Sequence, residues 1–255
     1  MNERIKAPRL QDKCIVVIGG SRGLGRTIVA AAYAEGARVL AVARKTEPLN
    51  QLATEFPGVQ ILALDATDEG APARVFEALA PDVVVVCAGA IPHMAPLMEQ
   101  TWEQFSGNWN SDVKISLLFS QAALTTPLPA GTTVILISSG AAMGDSPLSG
   151  GYAGAKRMQM FLAKYAQKES DRLQLGLWFL ALVPGGIMPE TELGNIAVNA
   201  YAASLGISTA EFLANIAARP SLEDVANAVV EYASNPQERA GKAFLVSKAG
   251  VKLVS

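Results

Sequence analysis

Short apolar stretches alternate with helical stretches along most of this chain, and this alternation limits the folds open to it. The apolar stretches are rich in branched residues and nearly continuous, as in strands that helices cover on both faces. They lie at residues 14–18, 38–42, 59–64, 82–87, 133–138, 174–183 and 243–247. Helical patterns lie between them at residues 24–35, 71–79, 102–124, 152–170 and 221–234. The alternation predicts an α/β fold, a doubly wound parallel sheet of about seven strands with helices on both faces.

No repeat, low-complexity tract or linker divides the 255 residues, so we expect a single domain over residues 1–255. The alternation breaks between residues 185 and 220, where an alanine-rich helical pattern contains no strand. Ligands bind parallel sheets at the carboxyl ends of the strands, and this segment follows such an end. We interpret the segment at about residues 186–220 as a helical lid over a substrate. A plain pair of surface helices is the alternative.

Charge balance and the rarity of metal-binding side chains exclude several classes. The 21 basic and 23 acidic residues give a net charge of −2, so no basic excess points to nucleic acid or to an anionic membrane. No apolar run approaches the ~20 residues of a membrane span. The first ten residues lack a secretory apolar region, so a cytoplasmic protein is expected. Cys14 and Cys87 fit core thiols, and His93 is the single histidine, so no metal site is expected.

A glycine-rich turn follows the first apolar run and precedes a helical pattern. It reads Gly19-Gly20-Ser21-Arg22-Gly23-Leu24-Gly25. Glycine lets the backbone turn tightly and approach a pyrophosphate, whose charge the helix N-terminus meets. The pattern predicts a dinucleotide site, with a turn that binds nothing as the alternative. The residues expected to contact the cofactor are Gly19, Ser21, Arg22, Gly23, Leu24 and Gly25.

The end of the second apolar run indicates which dinucleotide to expect. A site for NAD would place a carboxylate there to accept from the ribose 2′-hydroxyl, but the chain has Arg44 followed by Lys45. Arg44 can form a bidentate contact with a 2′-phosphate, and Arg22 can reach the same group. Both arginines favour NADP(H) over NAD. Solvated surface arginines are the alternative. Asp65, after the third run, can accept from the adenine amino group or cap a helix that begins near Asp68.

Ser139, Tyr152 and Lys156 form the constellation with the most chemical content. Ser139 follows the fifth apolar run, and Tyr152 and Lys156 open the helical pattern after it. Residues four apart share a helix face, so the Lys156 ammonium can stand near the Tyr152 phenol and lower its pKa from ~10. Tyr152 then serves as general acid towards a ketone or general base towards an alcohol, while Ser139 holds the carbonyl oxygen.

With these motifs the sequence resembles the short-chain dehydrogenase/reductase family over nearly its whole length. The resemblance rests on Gly19-x-x-x-Gly23-x-Gly25, Ala88-Gly89, Ser139, Tyr152-x-x-x-Lys156 and Pro184-Gly185. It implies a Rossmann-type fold and hydride transfer between NAD(P) and a carbonyl or hydroxyl carbon, with Lys156 also binding the nicotinamide ribose. The remaining positions that it assigns to the cofactor site are Ala66, Cys87, Ala88, Gly89, Tyr152, Pro184, Gly185 and Ile187.

Some positions near the cofactor depart from the family pattern. Ile18 and Cys87 stand where the family has a threonine and an asparagine that tie two strand ends together. Two apolar side chains can pack in their place, so we expect packing rather than hydrogen bonds to position that loop. Pro189 stands where a threonine near the carboxamide is expected, with Thr191 offset by two residues.

Asp112 stands where the family has its catalytic asparagine. The family asparagine holds, through its backbone carbonyl, a water that links the lysine to solvent, and a carbonyl survives any change of side chain. The Asp112 carboxylate can also pair with Lys156 and raise the pKa of that lysine. We therefore count Asp112 with Ser139, Tyr152 and Lys156 as a candidate catalytic residue.

Apolar and methionine side chains follow the strands at the expected substrate end. Methionine adapts to irregular shapes, so this lining suits a lipophilic ketone or alcohol better than a phosphorylated sugar. Methionines that only fill gaps are the alternative. The expected substrate-contacting residues are Met94, Met143 and Met188, with Ile91, His93 and Ile187 nearby.

Three functions stay open at this point. The leading one is an NADP-dependent oxidoreductase that reduces a ketone or aldehyde, or oxidises the matching alcohol. The alternatives are an NAD-linked alcohol dehydrogenase, for which Arg22 and Arg44 are incidental, and a catalytically silent dinucleotide-binding sensor. The helical patterns at 102–124 and 152–170 resemble those that pair subunits in the family, so a homodimer or homotetramer is expected. Ordinary sheet-covering helices are the other interpretation.

Overall fold

A mostly parallel sheet organises the chain. The computed structural model describes residues 8–144, 146–216 and 219–254, and in them eight strands form one sheet in the order β3-β2-β1-β4-β5-β6-β7-β8. The strands are β1 (Cys14–Ile18), β2 (Arg38–Ala43), β3 (Gln60–Ala63), β4 (Val83–Val86), β5 (Thr133–Ile137), β6 (Trp178–Pro184), β7 (Ala243–Ser247) and β8 (Gly250–Leu253). The predicted doubly wound α/β fold is confirmed.

The strand order reverses between β1 and β4, and this reversal opens a crevice at their carboxyl ends. The pairings from β3 to β7 are parallel, and β7 pairs antiparallel with β8. β8 was not predicted. Its residues are all exposed, so it lacks the buried apolar run that marks the other strands.

Helices cover both faces of the sheet. They are α1 (Gly23–Ala34), α2 (Thr46–Glu55), α3 (Ala71–Ala78), α4 (Trp102–Asn108), α5 (Lys114–Thr125), α6 (Gly150–Arg172), α7 (Glu192–Leu205), α8 (Thr209–Asn215) and α9 (Leu222–Ser234). The helix expected over 102–124 is divided, because a π-helical segment, Trp109–Val113, separates α4 from α5. α9 begins with a capping box, in which Ser221 and Asp224 exchange backbone and side-chain hydrogen bonds.

The alternation of side chains along the strands builds two apolar layers. On one face Ile15 and Val17 of β1 pack in a cluster with buried residues of α1, α2 and α9. On the other face Val16 and Ile18 pack in a cluster with residues of α3, α5 and α6. Strands buried on both faces read as continuous apolar runs, which is why the sequence located them.

Two helices, α7 and α8, occupy the segment interpreted as a lid. Val198, Ala202 and Phe212 form a small apolar cluster between them. Residues 217 and 218 of that segment lie outside the described part of the chain. Within the described residues no single helix is long and apolar enough to cross a membrane, although α7 and α8, bent by 102°, meet the length and composition criteria together. The single domain and the covering role of α7 and α8 stay predictions.

Candidate active site

The glycine-rich turn joins β1 to α1 where the strand order reverses. The backbone amides of Gly19 and Gly20 donate to the Val42 carbonyl at the end of β2, at 2.8 and 3.2 Å. Gly19 has a φ of 90°, and a Cβ there would lie 2.7 Å from the backbone nitrogen of Ala88. A Cβ on Gly25 would meet the Gly19 carbonyl. These positions require glycine, so the turn presents bare backbone at the carboxyl edge of the sheet.

The N-terminus of α1 suits an anion. α1 begins at Gly23 with Arg22 as its N-cap residue, and no described side chain caps it. Its first turn contains no acidic residue, so the partial positive charge of the helix end is not neutralised from within the helix. Free amides and a positive dipole favour a phosphate. The turn and helix end together therefore fit a dinucleotide pyrophosphate.

Arg22 contacts the segment after β6. Its guanidinium forms an ion pair with Glu192 in the first turn of α7. Thr191, the N-cap of α7, packs against the same turn, since a Cβ on Gly23 would lie 3.3 Å from its Cγ2. The start of α7 thus packs against the glycine-rich turn. Sequence reasoning noted Thr191 only as an offset threonine, and it missed Glu192.

Asp65 holds a turn after β3. Its Oδ1 accepts hydrogen bonds from the backbone amide and the hydroxyl of Thr67, at 2.9 and 2.8 Å. These hydrogen bonds and, more weakly, the Arg44 charge hold the pKa of Asp65 below its usual range. Helix α3 begins at Ala71, so the interpretation of Asp65 as the cap of a helix near residue 68 is wrong. Arg44 is exposed and directly follows β2. The adenine and 2′-phosphate contacts stay predictions.

Ser139, Tyr152 and Lys156 come together where β5 meets α6. The Ser138 hydroxyl donates to the Lys156 carbonyl at 2.7 Å, and Lys156 Nζ donates to the Ile137 carbonyl at 3.1 Å. These bonds fix the helix to the strand end. Lys156 Nζ lies 5.6 Å from the centroid of the Tyr152 ring, and the Ser139 side chain is close enough to the phenol to lower its pKa.

Asp112, in the π-helical segment, completes a buried charged cluster. Its Oδ2 lies 3.1 Å from Lys156 Nζ, with side-chain exposures of 1% for Asp112 and 7% for Lys156. Its Oδ1 accepts from the Ala90 amide at 2.9 Å, the Ser111 hydroxyl at 2.7 Å and Asn108 Nδ2 at 3.2 Å. The pairing with Lys156 that the sequence predicts is present. Asn108 and Ser111 were missed, because nothing in a helical pattern marks them as partners of a carboxylate.

The backbone carbonyl of Asp112 has side-chain partners of its own. It accepts from the Ser116 hydroxyl at 2.8 Å and, more weakly, from Gln159 Nε2 at 3.5 Å. Gln159 Nε2 also donates to the Ser116 hydroxyl at 2.7 Å. All three residues are buried. The carbonyl expected to hold a water is therefore already engaged by side chains of α5 and α6.

Burial and nearby charges shift the pKa values of this cluster. Burial raises the pKa of Tyr152 and outweighs the lowering effects of Lys156 and Ser139. Lys156 acts on the phenol in the predicted direction, but burial raises the pKa of Tyr152 by more than Lys156 lowers it. Burial alone would lower the pKa of Lys156, but the Asp112 carboxylate and the Tyr152 phenol offset it and raise that pKa. Burial also raises the pKa of the Cys87 thiol to about 11.

Hydrogen bonds hold the loop after β4. Asn108 Nδ2 donates to the Ala90 carbonyl at 2.7 Å, and the Ala90 amide donates to Asp112. The Cys87 amide donates to the Ile18 carbonyl at 2.9 Å. The expectation that apolar packing replaces hydrogen bonds here is therefore wrong, because polar side chains of α4 and of the π-helical segment tie the loop.

The segment after β6 runs along the same edge of the sheet. Pro184 is the last residue of β6, and the Gly185 amide donates to the Val246 carbonyl at 2.8 Å. Ile187 then packs against the small cluster between α7 and α8. The cofactor contacts expected of Pro184, Gly185 and Ile187 stay predictions.

The residues expected to contact substrate differ in exposure. Met143 is exposed and Met94 is half-buried, as a pocket lining requires. Met188 is half-buried and packs against the core cluster of α1 and α9, so part of its side chain fills a gap. Ile91 and His93 are exposed. Their substrate contacts stay predictions.

Helix α7 also reaches the loop in front of α6. The Tyr201 hydroxyl lies 2.9 Å from the Ser146 hydroxyl, which in turn lies 2.5 Å from that of Ser149. Ser149 is the N-cap residue of α6, the helix that carries Tyr152. α7 therefore contacts both the glycine-rich turn and the approach to the tyrosine. Sequence reasoning did not single out Tyr201.

A parallel sheet with a glycine-rich turn at its reversal point, and a serine, tyrosine and lysine beside it, defines the class of dinucleotide-dependent oxidoreductases. The described residues contain no group of three or more His, Cys, Asp or Glu side chains able to hold a metal. The family model described as short chain dehydrogenase matches residues 13–204. The chain belongs to the short-chain dehydrogenase family, whose members use NAD(P).

Curated relatives are similar over part of their length. The chain is 30% identical to L-xylulose reductase of Bos taurus over 130 residues, covering 51% of this chain and 53% of the relative. It is 34% identical to short chain dehydrogenase/reductase AacuD of Aspergillus aculeatus, covering 60% and 59%. Carbonyl reductase (NADPH) 2 of Sus scrofa is 28% identical, covering 58% and 62%. The chain thus spans between half and two thirds of these relatives.

A solved structure supports the fold over a longer stretch. A short chain dehydrogenase from Salmonella enterica serovar Typhi superposes with a TM-score of 0.77 at 19% identity. The match covers 95% of this chain and 99% of that one. At this identity the likeness concerns the fold alone.

A substitution at Gly89 tests the packing around the Asp112 carboxylate. A Cβ at Gly89 would meet Asp112 Oδ2, whereas one at Gly107 meets nothing within 4 Å. We expect Gly89→Ala to lower the free energy of unfolding by about 1–3 kcal/mol, because either the loop or the carboxylate must move. Gly107→Ala, within helix α4, should be neutral or slightly stabilising. Urea denaturation followed by circular dichroism measures both, and equal stability of the two variants would contradict the packing.

Proposed function

We propose that this protein is an NADP-dependent oxidoreductase that reduces a ketone or aldehyde, or oxidises the matching alcohol. The observation that carries the proposal is the assembly of Ser139, Tyr152 and Lys156 at the carboxyl edge of the sheet, beside an uncapped helix N-terminus. Family membership adds the cofactor class. The relatives named as L-xylulose reductase and carbonyl reductase support the reductive direction.

The proposed roles follow from the chemistry of each group. A bound reduced nicotinamide supplies a hydride to the carbonyl carbon. The Ser139 hydroxyl orients the carbonyl oxygen, and the Tyr152 phenol donates its proton to that oxygen as negative charge develops there. Lys156, held by Ile137 and Asp112, presents its positive charge to the phenol and to the nicotinamide ribose. The resulting tyrosinate regains its proton from solvent.

The cofactor is proposed to lie across the reversal of strand order. The turn residues Gly19 to Gly25 would hold the pyrophosphate, and the loops after β3, β4 and β6 would line the rest of the molecule. Arg44 supports NADP(H), since no carboxylate occupies the end of β2. The relative named carbonyl reductase (NADPH) 2 supports the same choice. Arg22 is engaged by Glu192, so Arg44 carries more of this argument than the sequence suggested.

The substrate is proposed to be a lipophilic carbonyl compound or alcohol. Exposed Met143 and half-buried Met94 favour such a surface, and α7 and α8 would cover it as a lid. The relative named L-xylulose reductase favours a polar keto sugar as the second candidate, so a substrate screen includes both classes. The cytoplasmic location stays a prediction.

We also propose a homodimer or homotetramer. α5 and α6 expose large apolar side chains, with Phe161 57% and Tyr165 53% exposed on α6 and Leu117 exposed on α5. Phe161 and Tyr165 contact each other with ring centroids 5.9 Å apart, so they form a continuous patch. Apolar surface of this kind marks protein contacts.

Replacing Tyr152 by Phe tests the catalytic assignment. We expect Tyr152→Phe to lower kcat for carbonyl reduction by at least about a hundredfold, because the proton donor is removed. NADPH binding, followed by its fluorescence, should change little. Tyr33→Phe, on the exposed face of α1, is the control and should keep full activity. If wild type and Tyr152→Phe turned over equally, Tyr152 would not be the acid. Cofactor binding without turnover by wild type would instead favour the sensor function.

Replacing Arg44 by Ala tests the cofactor preference. We expect wild type to bind NADPH at least about tenfold more tightly than NADH at a fixed salt concentration, a difference of about 1.4 kcal/mol. Arg44→Ala should remove most of that difference and leave NADH binding unchanged, since Arg44 is assigned to the 2′-phosphate. Arg74→Ala, an exposed arginine on α3, removes the same charge elsewhere and should preserve the preference. Tighter binding of NADH by wild type would favour the NAD-linked alcohol dehydrogenase.

A charge on the exposed face of α6 tests the assembly. We expect wild type to sediment as a dimer or tetramer and Phe161→Glu to shift to smaller species, because the contact would bury an unpaired carboxylate. Leu173→Glu, at an exposed position just after α6, is the control and should leave the distribution unchanged. Sedimentation velocity over a concentration series gives the distribution. A monomeric wild type would refute the proposal.

A further inference from the structure

A carboxylate faces the active-site ammonium directly. Asp112 Oδ2 lies 3.1 Å from Lys156 Nζ, and both side chains are almost completely removed from solvent. Opposite charges at this separation and burial attract strongly, because little water screens them. The ammonium next to Tyr152 is therefore half of an ion pair and not an isolated cation.

Hydrogen bonds fix the carboxylate in place. Its second oxygen accepts hydrogen bonds from the Ala90 amide, the Ser111 hydroxyl and Asn108 Nδ2. Gly89 leaves room for it, since a Cβ there would meet Oδ2. The loop after β4, helix α4 and the π-helical segment thus hold the carboxylate against Lys156.

Tyr152 experiences the net effect of the groups that face it. They are Lys156 on its own helix, Ser139 at the end of β5, Cys87 at the end of β4, and Asp112 from the π-helical segment. An isolated ammonium would favour the tyrosinate, but one paired with a carboxylate favours it much less. Tyr152 thus lies beside a nearly neutral pair in a buried site.

We propose that Asp112 is a positioning residue that compensates the charge of Lys156 and so keeps Tyr152 a neutral phenol, which suits the site to carbonyl reduction. The neutral phenol is the form that can donate a proton to the substrate oxygen, and a reduced nicotinamide, when bound, would supply the hydride to the carbonyl carbon. The O–H bond of Tyr152 breaks and the O–H bond of the alcohol forms. This inference rests on the proposed function, and it names the direction that the site favours.

The direction of the pKa shifts agrees with this assignment. Burial is the largest cause of the raised pKa of Tyr152, and the Asp112 carboxylate adds to it. A phenol with a raised pKa keeps its proton throughout the neutral range. Alcohol oxidation, which needs the tyrosinate, is then confined to alkaline pH.

Tyrosinate absorbance tests the inference without turnover. Ultraviolet titration of wild type minus Tyr152→Phe isolates the Tyr152 signal, and the same difference is taken in an Asp112→Asn background. We expect wild-type Tyr152 to titrate above the ~10 of a free tyrosine, and Asp112→Asn to lower the midpoint by about one pH unit or more. The Ile137 carbonyl stays available to accept from Lys156 Nζ in that variant. Asp68→Asn, an exposed carboxylate, is the control and should leave the midpoint unchanged.

The pH dependence of kcat/KM for alcohol oxidation gives a second readout. The alkaline rise should move to lower pH in Asp112→Asn by the same amount as the absorbance midpoint. Equal midpoints for wild type and Asp112→Asn would overturn the inference, as would a wild-type midpoint below that of free tyrosine, a measurement that needs no Asp112 variant. Absence of turnover refutes the proposed function but leaves the absorbance test valid.

Discussion

A parallel sheet can be built only if the chain returns to the same end before each new strand, and that requirement organises this molecule. Each return crosses one face as a helix, so both faces are covered and the strands between β3 and β7 read as apolar runs. The carboxyl ends of the strands then share one edge. The glycine-rich turn, Ser139 and the loop after β4 all emerge there, although they are far apart in sequence.

Sequence periodicity could find the elements that are buried and missed those that are not. β1 and β7 were located to the residue, because nearly all their side chains alternate between the two apolar layers. β8 is exposed along its whole length, so its pairing with β7 rather than its composition makes it a strand. The break at Trp109–Val113 was not predicted, because a single π turn is too short to change the apolar periodicity of the surrounding helical pattern.

Within the site, contacts between residues close in sequence were predicted, and contacts between distant segments were not. Tyr152 and Lys156 are neighbours by helical spacing alone, so the sequence placed them together. The bonds from Asn108 to the loop after β4 and from Glu192 to Arg22 join distant segments, and no local pattern encodes them. The sequence predicted the effect of Lys156 on the pKa of Tyr152 but not the larger effect of burial, for a related reason. A sequence shows which charges can be near a group but not how completely water is excluded from it.

The π-helical segment before α5 sets the direction in which the side chains of α5 and Asp112 point around the helix axis. An α-helix turns by about 100° per residue, and the wider π turn accommodates one residue more than an α turn. Every residue after it is therefore rotated by about one position relative to an unbroken helix, and Asp112 lies inside this turn. Straightening the segment by deleting one residue would turn either the Asp112 carboxylate or the whole of α5 away from its present partners. The charge balance beside Tyr152 thus depends on a count of residues as much as on their identity.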